Sequence, residues 1–165
     1  MCIRDRFTAA CGDRNFIIAG GNTNDVEADI RSFKTITEKL QSIAGTLKRD
    51  VGTIALFNVI VAKTDTDANV RFEHIVAGAD EAAIANLGGS AELDNSEGMV
   101  ESLKRKKMFM GLPTLVGGYS TVASYLDRIY DEAKVNACMF AVPDFENDID
   151  IFGEQILPRL ESRRA

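Results

Sequence analysis

The sequence holds no tryptophan, one histidine, three prolines and three cysteines in 165 residues, and each scarcity removes a class of explanation. Cys2, Cys11 and Cys138 are odd in number and far apart, so they form neither a disulfide framework nor a zinc-ligand pattern, and thiols of a cytoplasmic protein are the default. Cys138 lies in an apolar run and reads as a small buried hydrophobe. The longest apolar run, 53–62 (TIALFNVIVA), is about half of what a membrane span needs. Positive charge is also short: the net charge is −6, which argues against a nucleic-acid surface. The one basic cluster, Lys104 to Lys107, sits in a polar stretch and reads as a solvated face.

What remains is an ordinary globular balance, 45% apolar and 27% charged, long enough for one domain with a real core. Residues 1–6 (MCIRDR) share neither periodicity nor composition with the rest of the chain. They read as a non-native, adapter-like segment set apart from the fold, which leaves 7–165 as the domain.

Residues 15–20 (NFIIAG) form a short apolar run ending in Gly20-Gly21, as a buried strand with a sharp exit does. Asn24 and Glu27 have capping-box spacing. The helix they open repeats Val26, Ile30, Phe33, Ile36, Leu40, Ile43 and Leu47 on one stripe. Residues 53–62 do not alternate and are rich in β-branched side chains, which predicts a strand covered on both faces. Thr64 and Asp67 form a second cap signature, for a helix through about Leu87 with Val70, Ile75, Ala82 and Ile84 inward. The pattern then fades, and about 88–111 reads as an insertion. Ser120 is expected to cap a third helix with Val122, Leu126, Ile129 and Tyr130 on one face. Residues 135–142 (VNACMFAV) predict a third buried strand. Asp148 or Asp150 then starts a last helix, with Ile149, Phe152, Ile156 and Leu160 inward and a kink at Pro158.

Buried strands alternating with amphipathic helices predict right-handed βαβ units on a parallel sheet. Three strands make a poor complete domain, because both outer strands are apolar edges. A (β/α)8 barrel needs eight. The fold class expected is therefore α/β, the C-terminal portion of a TIM barrel, with an insertion before its last βα unit. A complete flavodoxin-like domain needs more parallel strands than these.

Ligands of such folds meet the loops after the strands. Gly20-Gly21 beside a helix start suits a phosphate or flavin pocket or a plain turn, and lacks the G-x-G-x-x-G spacing. The acids Asp65, Asp67, Asp144, Glu146, Asp148 and Asp150 do not follow a calcium loop and read as caps and turns, so no metal site is expected. His74 sits within a helix with no nucleophile beside it, and no triad, P-loop or zinc spacing occurs.

Several segments nevertheless carry a resemblance: Lys48-Arg49-Asp50-Val51-Gly52 leading into Ala55 to Ile60, Phe72-Glu73-His74 with Ala77 to Glu81, Leu115 to Ala123, and Asp144-Phe145 through Phe152-Gly153-Glu154. In order and spacing they resemble the C-terminal part of the bacterial luciferase-like flavin-dependent monooxygenases, nearest to the branch that opens pyrimidine rings. The resemblance spans about Phe7 to Arg163. It implies a barrel enzyme that oxidises a small organic substrate, in the nearest branch a pyrimidine such as uracil, with O2 and reduced FMN. The FMN is reduced by a separate NAD(P)H-dependent flavin reductase, and the full-length enzyme is a homo-oligomer. The family's FMN-binding positions fall on earlier strands, so none is carried onto this chain. The exit of the first strand, Ile18, Ala19 and Gly20, is implied to line the substrate pocket, with Ile18 where an aromatic side chain faces the flavin. A different class of reading stands beside this one, a non-catalytic half-barrel that binds or assembles through its exposed edges.

Overall fold

The structure is a computed structural model, and it describes residues 3–18, 25–83, 85–86 and 112–163. Its elements run α1 (Ile3–Cys11), β1 (Arg14–Ile17), α2 (Val26–Thr46), β2 (Gly52–Ala62), α3 (Asp65–Ala77), β3 (Thr114–Gly118), α4 (Tyr119–Ala133), β4 (Ala137–Ala141) and α5 (Phe145–Ile151). A π-helical stretch (Phe152–Ile156) and a 3-10 turn (Leu157–Arg159) follow. The expected insertion at about 88–111 and the residues Ala19 and Gly20 lie outside the described residues. Residues 3–6, set apart on sequence grounds, are the first turns of α1, where Asp5 pairs with Lys39 of α2.

The described strands are all parallel, and β2 is the hub. Its even-numbered edge pairs with β1 through Gly52 to Ala55 and then with β3 through Asn58 to Ala62. Its other edge pairs with β4 through Ile54 to Asn58. Without β3, the order β1–β2–β4 is the chain order that neighbouring barrel strands keep. β3 is an additional short strand along the C-terminal half of β2. Sequence reasoning missed it because Thr-Leu-Val-Gly-Gly is brief and ends in two glycines, which read as a turn.

The odd-numbered side chains of β2 (Ala55, Phe57, Val59, Val61) join Ile30 and Phe33 of α2 and Val122, Leu126 and Ile129 of α4 in the main core. Phe57, Phe140 and Phe152 continue it as an aromatic run, with ring centroids 5.7 and 4.5 Å apart. The stripe read on α2 is the buried one at Ile30, Phe33 and Leu40, while Leu47 caps the helix and is exposed.

Other expectations need correction. The cap of α2 is Asp25, whose side chain accepts from the Ala28 N–H. α3 stops at Ala77 rather than near Leu87: Gly78 turns the chain, and Asp80 accepts from the Ala83 N–H to start a new helical turn. Val70 is 66% exposed, and Ala82 is also exposed. Ser120 lies inside α4, whose N-cap position is Gly118. Tyr130 is exposed there, and Tyr125 takes the buried place instead. Asp144, not Asp148 or Asp150, caps the last helix, and Ile149 faces outward. The expected kink at Pro158 comes earlier: regular α-helix ends at Ile151, and Pro158 lies in the 3-10 turn that follows the π-helical stretch.

Candidate functional site

The C-terminal ends of β2, β3 and β4 are tied together by two carboxylates, Asp65 and Asp148, each held by a different donor set. Thr64 caps α3 by accepting from the Asp67 N–H, and its hydroxyl donates to Asp67 in return. That fixes Asp65, whose Oδ1 accepts from the Gly118 N–H at 2.6 Å. The Gly118 N–H and the Thr121 side chain hold the Asp65 carboxyl below the usual carboxylate range. Asp65 thus serves α4 as a cap borrowed from another element. Glycine is required opposite it: a Cβ on Gly118 would meet the backbone of Asp65 at 3.0 Å and of Thr64 at 3.1 Å.

Asp148 is the deepest acid of the site, 1% exposed. Both guanidinium nitrogens of Arg71 donate to it, at 2.6 and 2.8 Å, and the Asp144 N–H donates at 3.0 Å. Arg71 also donates to the Val61 carbonyl. Through this fork α3, α5 and the end of β2 are one rigid unit. Its hydrogen bonds to Asp148 push the Arg71 pKa further up. Asp144 itself is lowered by the Asn147 side chain and N–H that it caps.

Beside this frame lies an open groove of about 480 Å³ lined by Lys63, Tyr119, Ser120, Glu154 and Arg159, with the Arg159 guanidinium 5.8 Å over the Tyr119 ring. Its charges are mixed, so it selects no ligand class.

A second surface is apolar. Strand alternation sends Phe16 and Ile18, Ile54 and Leu56, and Met139 to the face opposite α2 and α4. Phe16 is 57%, Ile18 45% and Met139 51% exposed. Ile18, expected in a pocket wall, stands at the C-terminal end of β1 in this row. For a flavin, the row offers a flat apolar wall suited to the ring. It offers nothing for the phosphate: β2 and β4 carry no basic residue, and Arg14 is at the far end of β1 from Ile18.

His74 is exposed in the last turn of α3, away from these groups. Glu146 and Asp150 are exposed as well. Among the described residues no three His, Cys, Asp or Glu side chains converge as a metal would need, and no helix is long and apolar enough to cross a membrane.

No protein-family model matches the chain. Curated proteins do: over 163 residues it is 32% identical to the pyrimidine monooxygenase RutA of Methylorubrum populi and 34% to that of Stutzerimonas stutzeri. Its relatives are pyrimidine monooxygenases. Each alignment takes in 96% of this chain, but the chain spans only 42–43% of the length of those relatives. The fold has solved counterparts. DmoA from Hyphomicrobium sulfonivorans superposes with a TM-score of 0.75 at 22% identity, and the long-chain alkane monooxygenase LadA with 0.73 at 19%. Each covers 99% of this chain and 40% of its own. The resemblance drawn from sequence motifs is therefore borne out, and the relatives' names place them among the oxidoreductases.

Proposed function

We propose that this chain is the C-terminal portion of a (β/α)8-barrel monooxygenase that uses O2 and reduced FMN to oxidise a small organic substrate, a pyrimidine such as uracil. The observation that carries this reading is identity of 32–34% sustained across 96% of the chain with pyrimidine monooxygenases. The strand order β1–β2–β4 supports it as three consecutive strands of eight. So does the agreement between that fraction and the 42–43% of the relatives spanned. The row of exposed Phe16, Ile18 and Met139 and half-buried Ile54 and Leu56 then becomes barrel interior, closed by the strands of the rest of the barrel. Ile18, with Ala19 and Gly20 after it in sequence, lines the substrate pocket from one side.

Reduced FMN, when bound, supplies the oxygen-activating chemistry. The residues of this chain contribute an apolar wall that excludes water and the Asp65–Gly118 and Arg71–Asp148 ties that hold the strand ends. The phosphate is held by the rest of the barrel. A separate NAD(P)H:flavin reductase supplies the reduced cofactor. The complete enzyme is cytoplasmic and a homo-oligomer.

The test is complementation. The chain is co-expressed with the part of the Stutzerimonas stutzeri relative that it does not match, and uracil-dependent O2 consumption is measured with FMN, NADH and a flavin reductase. The reading expects turnover from the pair and none from the chain alone, which also leaves FMN fluorescence unquenched. Stoichiometric FMN quenching by the isolated chain would overturn the divided pocket. An inactive pair, beside an active full-length relative, would favour the non-catalytic assembly module.

A further inference from the structure

The seam between α2 and α4 contains a buried acid that the site described above does not use. Asp29, in the first turn of α2, is 6% exposed. Its Oδ2 accepts a hydrogen bond from the Tyr125 hydroxyl of α4 at 3.1 Å, and its Oδ1 is buried with no partner among the described residues. Tyr125 is fixed in turn by the edge of Phe57 of β2, with ring centroids 6.0 Å apart. An ionised carboxylate has about four lone-pair sites to satisfy, and the described residues offer one donor here.

Among the described residues, no neighbour supplies the missing charge. Arg128 of α4 is the nearby cation, and it is committed to Glu27 at 2.8 Å and Glu132 at 2.6 Å. Asp25, at the start of α2, is a like charge. β2 presents Phe57, which does not titrate. From β4, Cys138 lies near Tyr125, and burial pushes that thiol up to about 12, so it stays neutral. The sequence between β1 and α2 (Ala19 to Asn24) contains no ionisable side chain.

We propose that the α2–α4 seam is a proton-operated joint, closed on a neutral Asp29 and loosened when that carboxyl ionises and draws water to its unpartnered oxygen. Burial raises the Asp29 pKa to about 6, against the Tyr125 hydrogen bond that lowers it and with the Asp25 charge that adds to it. The joint therefore works between mildly acidic and neutral pH. It governs the first turns of α2, which receive the segment leaving β1. Its operation does not depend on the proposed activity.

The test is hydrogen exchange of the α2 amides in residues 26–33, corrected for intrinsic rate, at pH about 5 and about 7.5. The wild-type chain is expected to lose about tenfold in protection on going to the higher pH, and Asp29→Asn to lose none. Tyr125→Phe removes the donor that favours the anion, so it shifts the midpoint of the change upward, which a packing role alone would not do. Equal protection at both pH values in the wild type, or an undiminished loss in Asp29→Asn, overturns the joint. If Asp29→Asn fails to fold, a midpoint unmoved by Tyr125→Phe overturns it.

Discussion

Asp148 and Asp29 are both carboxyls with almost no exposure, and the chain treats them in opposite ways. Asp148 receives a guanidinium fork and a backbone N–H; Asp29 receives a single phenol. Depth is common to both, so the donor count decides what each buried acid is for. The first is a permanent tie between α3 and α5. The second tolerates its surroundings best with a proton on it. A buried acid thus becomes a structural tie or is left under-satisfied according to the partners that its neighbours' sequence happens to provide.

The sharpest way to break the contrast is Arg71→Ala, which leaves Asp148 buried without its cation. The loss expected is about 3–5 kcal/mol, seen as a fall in the urea midpoint, and a loss under about 1 kcal/mol would place this pair among ordinary surface pairs. Asp29→Asn should act in the other direction. The folded pKa of about 6 lies above an unfolded value of about 3.9. The stability Asp29 contributes is therefore complete below the unfolded value and is lost as pH rises through about 6. The swing is on the order of 2–3 kcal/mol, so the stability difference between wild type and Asp29→Asn should favour the wild type in acid and the variant at neutral pH. A difference independent of pH would refute the assignment.

Gly118→Ala presses a Cβ onto the backbone of Thr64 and Asp65. It should destabilise by about 1–3 kcal/mol, and a thermal scan showing no change would mean that α4 slides freely. Thr64→Ala removes a cap and its reciprocal bond to Asp67, for about 1 kcal/mol by the same scan. His74→Ala, on an exposed helix end, should stay within about 0.5 kcal/mol and leave the turnover of the complemented enzyme unchanged. A loss of activity there would make His74 a catalytic candidate.

The elements legible in the sequence were those whose burial repeats. The stripe of α2 and the unbroken run of β2 announced themselves because one packs a single face and the other carries apolar side chains on both faces. The Thr64–Asp67 cap was legible because its logic is local. β3 was not, since five residues ending in glycine carry no period, and their strand character comes from lying along Asn58 to Ala62. Asp148 looked like one more cap in an acidic run. Nothing in the local sequence marks the acid that Arg71, 77 residues away, will reach. Asp29 falls on the polar side of a capping pattern, and only its approach to Tyr125, 96 residues away, buries it. The apolar wall at Phe16 and Ile18 was visible as hydrophobic residues. That it faces outward depends on which strands are present to cover it.

The hub position of β2 sets an order of events during synthesis. Its even edge needs β1, already made, for one half and β3 for the other, and its odd edge needs β4. The central strand therefore leaves the ribosome with only part of one edge satisfied, and waits for partners whose register residues lie 56 and 83 positions downstream. Closing such distant pairings is slow, and in that interval the most apolar strand of the chain is the one most open to misassociation. Slowing translation after residue 62 should lengthen that vulnerable interval, whereas supplying residues 112–141 sooner should shorten it.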